Sequence, residues 1–347
     1  MTPDEHLIGT DQHLLRTEGR TYAMSHSPVP LGTFPTPVEP APRLAAALGL
    51  GPEDLWIKRD DLTGPGGGGN KIRKLEWTVG AALAEGADTL VTTGAPQSNH
   101  ARLTAAAAAR LGLSAVLVLR GTPGASSSGN LALDGLFGAR VAWAGEVDQA
   151  GLDAAAADVC ARLRASGARP ALIPFGGSSV LGARGYVRCG EELDGQVPRL
   201  RTAVVALGSG GTMAGLVAAL GAGSVLGVDV GALADPAAAV VEFATPLATQ
   251  KVTAQGLRVR RDQVGAGYAT LTGPVTEALR LAARTEGLVL DPIYTGRALA
   301  GLRAAVRDGD VRPGEKTVFV HTGGLPGFFG HPDAVAFAEE GAVDFDG

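Results

Sequence analysis

The chain has 347 residues, enough for two domains or one large one, and its 45% hydrophobic content is ample for a buried core. A formal net charge of -5 and 5% aromatic residues argue against a nucleic-acid surface, and the apolar runs break before membrane-spanning length, so a small polar substrate is the expected partner. Cys160 and Cys189 supply neither a disulfide framework nor a metal pair, and the six histidines show no ligand spacing; no metal and a reducing, cytoplasmic setting are expected.

The first thirty residues are polar and lack an apolar signal-peptide core, so they read as an N-terminal extension with Met24 as an alternative start. Only five lysines occur, and one of them, Lys71, follows the run Gly66-Gly67-Gly68-Gly69-Asn70. Glycines let backbone approach a flat or anionic ligand, and a lysine amine forms a Schiff base where arginine cannot. Taken alone, the plainer reading is a flexible loop with a solvated lysine.

From about residue 70 strand-like and helix-like segments alternate, which predicts α/β layers with a mostly parallel sheet. Leu75, Val79 and Leu83 form one apolar face of a helix over residues 70–85, and Thr89-Leu90-Val91-Thr92 reads as a buried strand. The turn over residues 94–100 leads into an alanine-rich helix over 101–111, capped by Ser98 or Asn99. Strands at 115–119 and 171–175 flank a helical middle, residues 121–129 read as a mobile loop, and Gly176-Gly177-Ser178-Ser179 caps the next helix. A second unit starts with a strand at 203–207, passes through Gly208-Ser209-Gly210-Gly211-Thr212 into a helix, and returns as a strand at 225–229. The last strand, 317–320, ends at His321-Thr322-Gly323-Gly324.

In open α/β sheets ligands bind beyond the carboxyl ends of strands, where these loops lie. Gly208, Ser209, Gly210, Gly211 and Thr212 sit between a strand and a helix, where free N–H groups make a phosphate cup or simply a tight turn. Gly208, Gly210 and Asp229 also imitate a dinucleotide fingerprint, but Met213 holds the place of its third glycine; no Gly-Lys-Ser/Thr occurs, which excludes a Walker A loop. Gln97, Ser98 and Asn99 offer donors at a helix N-terminus suited to a carboxylate, or an ordinary cap. Tyr268 and Tyr294, both near glycines, could stack on a ring or exchange a proton, or only pack.

Together these segments resemble the D-cysteine desulfhydrase / 1-aminocyclopropane-1-carboxylate (ACC) deaminase family of pyridoxal-phosphate enzymes. The resemblance runs from about Leu31 to Gly330. Its carriers are Thr33-Phe34-Pro35-Thr36-Pro37, Trp56-Ile57-Lys58-Arg59-Asp60-Asp61-Leu62, Gly69-Asn70-Lys71-Ile72-Arg73-Lys74-Leu75-Glu76 and Gln97-Ser98-Asn99-His100, then Leu290-Asp291-Pro292-Ile293-Tyr294-Thr295-Gly296 and His321-Thr322-Gly323-Gly324. It implies an α/β architecture of fold type II (tryptophan synthase β-like): two open, twisted, mostly parallel sheets flanked by helices, with pyridoxal 5'-phosphate in the cleft between domains. The implied division is an extension over residues 1–30, a large cofactor-binding domain over 31–70 plus 188–347, and a small α/β domain over 71–187. A homodimer acting on a small amino acid, with no nucleic acid or membrane partner, is expected.

By the same resemblance Lys71 is similar to the lysine that holds the cofactor as an internal aldimine and shuttles the Cα proton. Ser98 resembles the hydroxyl that contacts substrate, Asn99 the amide beside the cofactor's O3', and residues 208–212 the phosphate loop. Gln97 joins Ser98 and Asn99 as an expected substrate contact. Tyr294 resembles the tyrosine near the pyridine ring and Tyr268 the second pocket tyrosine. ACC deaminases have Glu and Leu where this chain has Thr295 and Thr322, both threonine in desulfhydrase-type members. A neutral hydroxyl near the ring nitrogen deepens the electron sink less than a carboxylate does, which favours β-elimination over ring opening. The expected reaction converts D-cysteine and water to pyruvate, hydrogen sulfide and ammonia. Alternatives are ACC deaminase, a cysteate sulfo-lyase, a nicotinamide oxidoreductase and a non-catalytic ligand-binding protein.

Overall fold

The computed structural model describes residues 27–124 and 128–341. The expected extension up to residue 26, and most of the Ala125–Ser128 run in the loop read as mobile, lie outside the described residues. In chain order the strands are β1 (Val38–Pro40), β2 (Leu55–Lys58), β3 (Thr89–Gly94), β4 (Ser114–Leu119), β5 (Arg140–Trp143), β6 (Pro170–Leu172), β7 (Thr202–Leu207), β8 (Val225–Asp229), β9 (Arg258–Arg260) and β10 (Thr317–Val320). The helices are α1 (Pro42–Leu48), α2 (Lys71–Ala84), α3 (Asn99–Leu111), α4 (Gly129–Leu136), α5 (Gln149–Ala165), α6 (Val180–Gln196), α7 (Gly211–Leu220), α8 (Pro236–Ala244), α9 (Gly273–Glu286), α10 (Thr295–Arg307), α11 (Leu325–Phe329) and α12 (Pro332–Glu339).

Two sheets organise these elements. The larger has the order β1-β2-β10-β7-β8-β9, parallel except for the antiparallel β1–β2 edge; the smaller, β5-β4-β3-β6, is parallel throughout. Central strands β3 and β7 are buried along their whole length, as parallel strands covered on both faces must be; β7 reads as a near-continuous apolar run, whereas β3 mixes Leu90 and Val91 with three buried threonines. Alternate side chains of β7 feed opposite cores: Val204 and Ala206 pack with α9 and α10, whereas Val205 and Leu207 pack with α6 and α7. The smaller sheet repeats the arrangement, with Leu117 facing α2 and α3 and Val118 facing α5. No helix among the described residues is long and apolar enough to cross a membrane.

Helix α6 joins the two halves. Ala183, Tyr186, Cys189 and Leu193, spaced three or four apart, enter the core of the larger sheet. The opposite side meets α2 closely enough that a Cβ added at Gly185 would lie 2.1 Å from the Arg73 carbonyl oxygen. The expected domain boundary between residues 187 and 188 therefore falls inside this helix. At the other end, Val29 and Leu31 pack on the core of the smaller sheet, and Val29 N–H donates to Glu76 O at 2.8 Å. Residues 27–30, expected to end a loose extension, are thus held in place, and Leu31 packs with the smaller sheet rather than the larger. The expected strand at 171–175 stops at Leu172 because Phe175–Gly177 turns sharply, with both glycines at a φ of 63°.

Candidate active site

The carboxyl ends of β3, β6, β7 and β10 and the first turn of α2 surround a cavity of about 230 Å³. Its floor begins at the glycine run. Gly66 to Gly69 all take positive φ, and at Gly68 a Cβ would stand 1.9 Å from the Asp61 carbonyl oxygen, so the loop admits no larger residue there. Asn70 N–H donates to Thr322 O at 3.0 Å, which ties this loop to the end of β10. Lys71 then opens α2 and projects into the cavity.

Lys71 Nζ donates to the Gly176 carbonyl at 3.0 Å, and burial lowers its pKa to about 8. Lys74, one helical turn on and on the same face, is also buried; its Nζ donates to Ser178 Oγ at 3.0 Å and lies 3.4 Å from Gly176 O. Burial, and then the charge of Lys71, hold Lys74 well below the ordinary lysine range. Two amines so close, with no aspartate or glutamate among the cavity-lining residues, form a site that an anion would complete.

The geometry around them suits a phosphate. Residues 208–210 lead from β7 into α7, whose first-turn N–H groups carry the positive end of the helix dipole. Gly208, Ser209, Gly210 and Thr212 line the cavity. Gly211 does not; its N–H donates to Ser178 Oγ at 3.2 Å, and Ser178 Oγ meets Ser209 Oγ at 2.7 Å, so this hydroxyl pair links the loop to Lys74. Asn70 Nδ2 donates to Thr212 Oγ1 at 3.0 Å. A second helix start faces the same cavity at α3, where Ser98 Oγ caps the helix by accepting from Ala101 N–H at 3.1 Å and Asn99 lines the wall.

Tyr268 and Tyr294 meet hydroxyl to hydroxyl at 2.6 Å, with rings nearly perpendicular. Tyr268 is 42% exposed and reaches Tyr294 through its hydroxyl. Burial raises the pKa of both phenols, so both are protonated at neutral pH. Thr322 also lines the cavity.

Besides Gly211, two expected site residues do not line the cavity. Thr295 is fully buried and folds onto Asp291: its Oγ1 donates to Asp291 Oδ1 at 2.7 Å and accepts from Asp291 N–H at 2.8 Å. Asp291 in turn accepts from the N–H groups of Ile293, Tyr294 and Thr295, so this string builds the start of α10 and Thr295 does not line the cavity. Gln97 also lies outside the lining; its Nε2 donates to Ser128 O at 3.0 Å and its Oε1 accepts from Asn130 N–H at 2.9 Å, which fastens the entry to α4.

Sequence reasoning passed over Lys74, Ser178, His100 and Arg120. The i, i+3 spacing from Lys71 could have found Lys74. His100 follows Ser98 and Asn99; its Nε2 lies 2.9 Å from Thr92 Oγ1, and burial, with the neighbouring lysine charges, keeps the ring neutral. If Lys71 is the attachment point, covalent attachment of pyridoxal phosphate by cofactor-free protein should quicken as pH rises, with a midpoint near 8, because only a neutral amine reacts; stopped-flow absorbance at a series of pH values measures it.

A buried reactive amine beside a helix end built for phosphate, both at the carboxyl ends of parallel strands, defines a class of enzyme. The chain belongs to the family described as pyridoxal-phosphate dependent enzymes, whose model matches residues 29–323, and it has their fold type II architecture. It is 42% identical over 308 residues to a Pyrococcus abyssi protein provisionally named 1-aminocyclopropane-1-carboxylate deaminase, covering 85% of this chain and 90% of the relative. It is 41% identical over 314 residues to the D-cysteine desulfhydrase of Salmonella schwarzengrund, covering 86% and 94%. A crystal structure of an ACC deaminase homologue superposes with a TM-score of 0.81 at 36% identity, over 90% of this chain and 97% of that one. These relatives place the chain among the lyases of the family.

Proposed function

We propose that the protein eliminates the β-substituent of a small amino acid, with D-cysteine the lead substrate, giving pyruvate, hydrogen sulfide and ammonia. The observation that carries this reading is a buried amine with a pKa of about 8 in a cavity whose lining includes no carboxylate. A carboxylate beside the ring nitrogen would keep it protonated and strengthen electron withdrawal; without one, loss of a good leaving group is favoured over opening a cyclopropane ring. Residue 295 does not enter this argument directly, since its hydroxyl is engaged by Asp291. The neutral Thr322 at the wall supports it.

Lys74, the Ser178–Ser209 hydroxyl pair and the first turn of α7 would hold the phosphate of the cofactor, and Asn99 would face its ring oxygen. When bound, pyridoxal phosphate supplies an electron sink for charge developing at Cα. Ser98 Oγ and the first N–H groups of α3 hold the substrate carboxylate. Lys71 Nζ takes the Cα proton, and the neutral Tyr268–Tyr294 pair donates a proton as the substituent leaves. The two thiols, buried and unpaired, support a reducing, cytoplasmic setting, and a homodimer completes the proposal.

A substrate panel tests the reading. Cofactor-loaded protein should release pyruvate and sulfide from D-cysteine with a kcat/KM at least about tenfold above that for 2-oxobutyrate release from ACC. The reverse ratio would assign the chain to ring opening instead.

A further inference from the structure

Arg297 serves neither the phosphate cup nor the substrate contacts above, yet its surroundings are unusual for a cation. It sits in the first turn of α10 and is fully buried, at the helix end whose dipole disfavours positive charge. Among the described residues no carboxylate is hydrogen-bonded to it, and its Nε is buried without a partner. The terminal nitrogens donate only to carbonyls: Nη1 to Val230 O at 2.7 Å, and Nη2 to Gly267 O at 2.7 Å and Thr270 O at 2.9 Å. A cation buried in this way costs stability, and an apolar side chain would fill the same core position more favourably. What the guanidinium does hold is a loop.

Residues 261–272 connect β9 to α9 without helix or strand, and Tyr268 stands among them. Among the described residues, the stretch 264–271 makes no backbone–backbone hydrogen bond. Side chains bond its carbonyls instead. Arg297 Nη2 brackets Tyr268 by taking the carbonyls of 267 and 270, while Nη1 anchors the fork just beyond the end of β8. His331 takes the carbonyl of 269: its Nδ1 accepts from Ala334 N–H at 3.3 Å, so the ring proton is on Nε2, which donates to Ala269 O at 2.9 Å. Ala269 has a φ of 64°, unfavourable for a residue with a Cβ, and these contacts hold it there. Tyr294 immediately precedes α10, three residues before Arg297. One helical turn therefore carries Tyr294 itself and, through the guanidinium, the backbone that brings the Tyr268 hydroxyl to 2.6 Å from its own.

We propose that Arg297, assisted by His331, is a positioning residue that holds the loop of Tyr268 so that the two phenols form one proton-donating pair. This rests on the elimination reading of the site, in which that pair protonates the leaving sulfur. The Cβ–S bond breaks with its electron pair on sulfur, a phenol proton joins that pair, and water returns a proton to the phenol. A substituent that departs as a stable anion, such as chloride, needs no proton. The placement of the phenols therefore matters for a thiol and little for a chloride.

The test measures kcat and KM of cofactor-loaded wild type, Arg297→Met, Arg297→Lys, Tyr268→Phe and the double variant of Arg297→Met with Tyr268→Phe, on D-cysteine and on β-chloro-D-alanine. Fluorine NMR spectra of the same proteins labelled with fluorotyrosine accompany the kinetics. Arg297→Met should lower kcat on D-cysteine by about tenfold or more with KM little changed, and on β-chloro-D-alanine by no more than about twofold. Arg297→Lys, which keeps a donor but not the fork, should fall between Arg297→Met and wild type. With Tyr268→Phe already present, Arg297→Met should add no further loss on D-cysteine. The Tyr268 resonance should move in Arg297→Met while that of Tyr186, buried in the core around α6 and α7, stays. Equal losses on the two substrates, losses that multiply in the double variant, a Tyr268 resonance that stays, or unimpaired D-cysteine turnover in Tyr268→Phe would each overturn the inference. Should Arg297→Met not fold, His331→Ala, which releases the loop at Ala269 O, is held to the same pattern. If wild type eliminates neither substrate, the elimination reading fails and the spectra alone decide: a Tyr268 resonance that moves without Tyr186 upholds the positioning role, and any other result overturns it.

Discussion

Lys71→Ala should lower kcat on every substrate on the order of 10³- to 10⁴-fold, because in the proposed mechanism the change removes both the amine that attaches the cofactor and the base that takes the Cα proton. Stability should change little. The hydrogen bond from Lys71 Nζ goes to the carbonyl of Gly176, a turn residue whose neighbours hold it through the Ser178–Ser209 pair. Lys74 does not substitute, since its amine is committed to Ser178 and faces the phosphate loop. Added methylamine should restore part of the rate by occupying the vacated position. Single-turnover absorbance with and without methylamine measures both effects, and a variant with near wild-type turnover would remove Lys71 from the chemistry.

Arg73→Met should destabilise the protein by about 3–5 kcal/mol at neutral pH, the usual range when one partner of a buried ion cluster is deleted. Arg73 lies two residues beyond Lys71 on α2 and is almost fully buried. Its Nε and Nη2 donate to Asp60 Oδ2 and Oδ1 at 2.8 and 2.9 Å, and both Nη atoms donate to Glu192 at 2.8 Å. Lys58 closes the cluster by donating to Glu192 Oε2 at 2.7 Å, while Thr36 and Tyr186 donate to Asp60. Without Arg73, Asp60 remains charged in an apolar setting.

The sign of the pH dependence distinguishes this account from simple loss of packing. Burial alone would raise the Asp60 carboxyl, but the charge and hydrogen bonds of Arg73 hold it below the ordinary value of 3.8. A depressed carboxylate contributes stability above its unfolded pKa and loses that contribution as pH falls through the folded one. In Arg73→Met burial is opposed only by the hydrogen bonds from Thr36 and Tyr186 and the folded pKa rises, so protonation on acidification now favours the folded state. The stability gap between variant and wild type should therefore narrow as pH falls from 7 towards 4, as measured by denaturant unfolding at each pH. A constant gap would point to packing around Phe34, whose ring lies 4.3 Å from the guanidinium carbon.

The sequence was legible where local rules and tertiary packing agree. The α2 stripe of Leu75 and Val79, the buried runs of β3 and β7, and the Ser98 cap all follow from spacing and side-chain chemistry within a few residues. Short edge strands were not. β9 reads Arg-Val-Arg, and its pairing depends on β8 and on Arg260 reaching Asp262, Asp308 and Asp310, the last two nearly fifty residues away. Gln97 and Thr295 sat in the right strings but on the wrong side of their backbones, a choice made by the entry to α4 and by the Asp291 cap.

By itself, then, the sequence determined the alternation of strand and helix, the glycine run that lets backbone approach a ligand, and the lysine that directly follows it. These are properties of the backbone and of one side chain's chemistry, so a short window suffices to read them. Only the tertiary structure decided what surrounds that lysine. Lys74, Ser178, His100 and Arg120 come from three helices, or the turns into them, and a strand end, and burial decides the chemistry at the centre: the Lys71 amine is reactive near pH 8 because water has been removed around it. Burial of that kind is a property of the packed sheets, not of any segment.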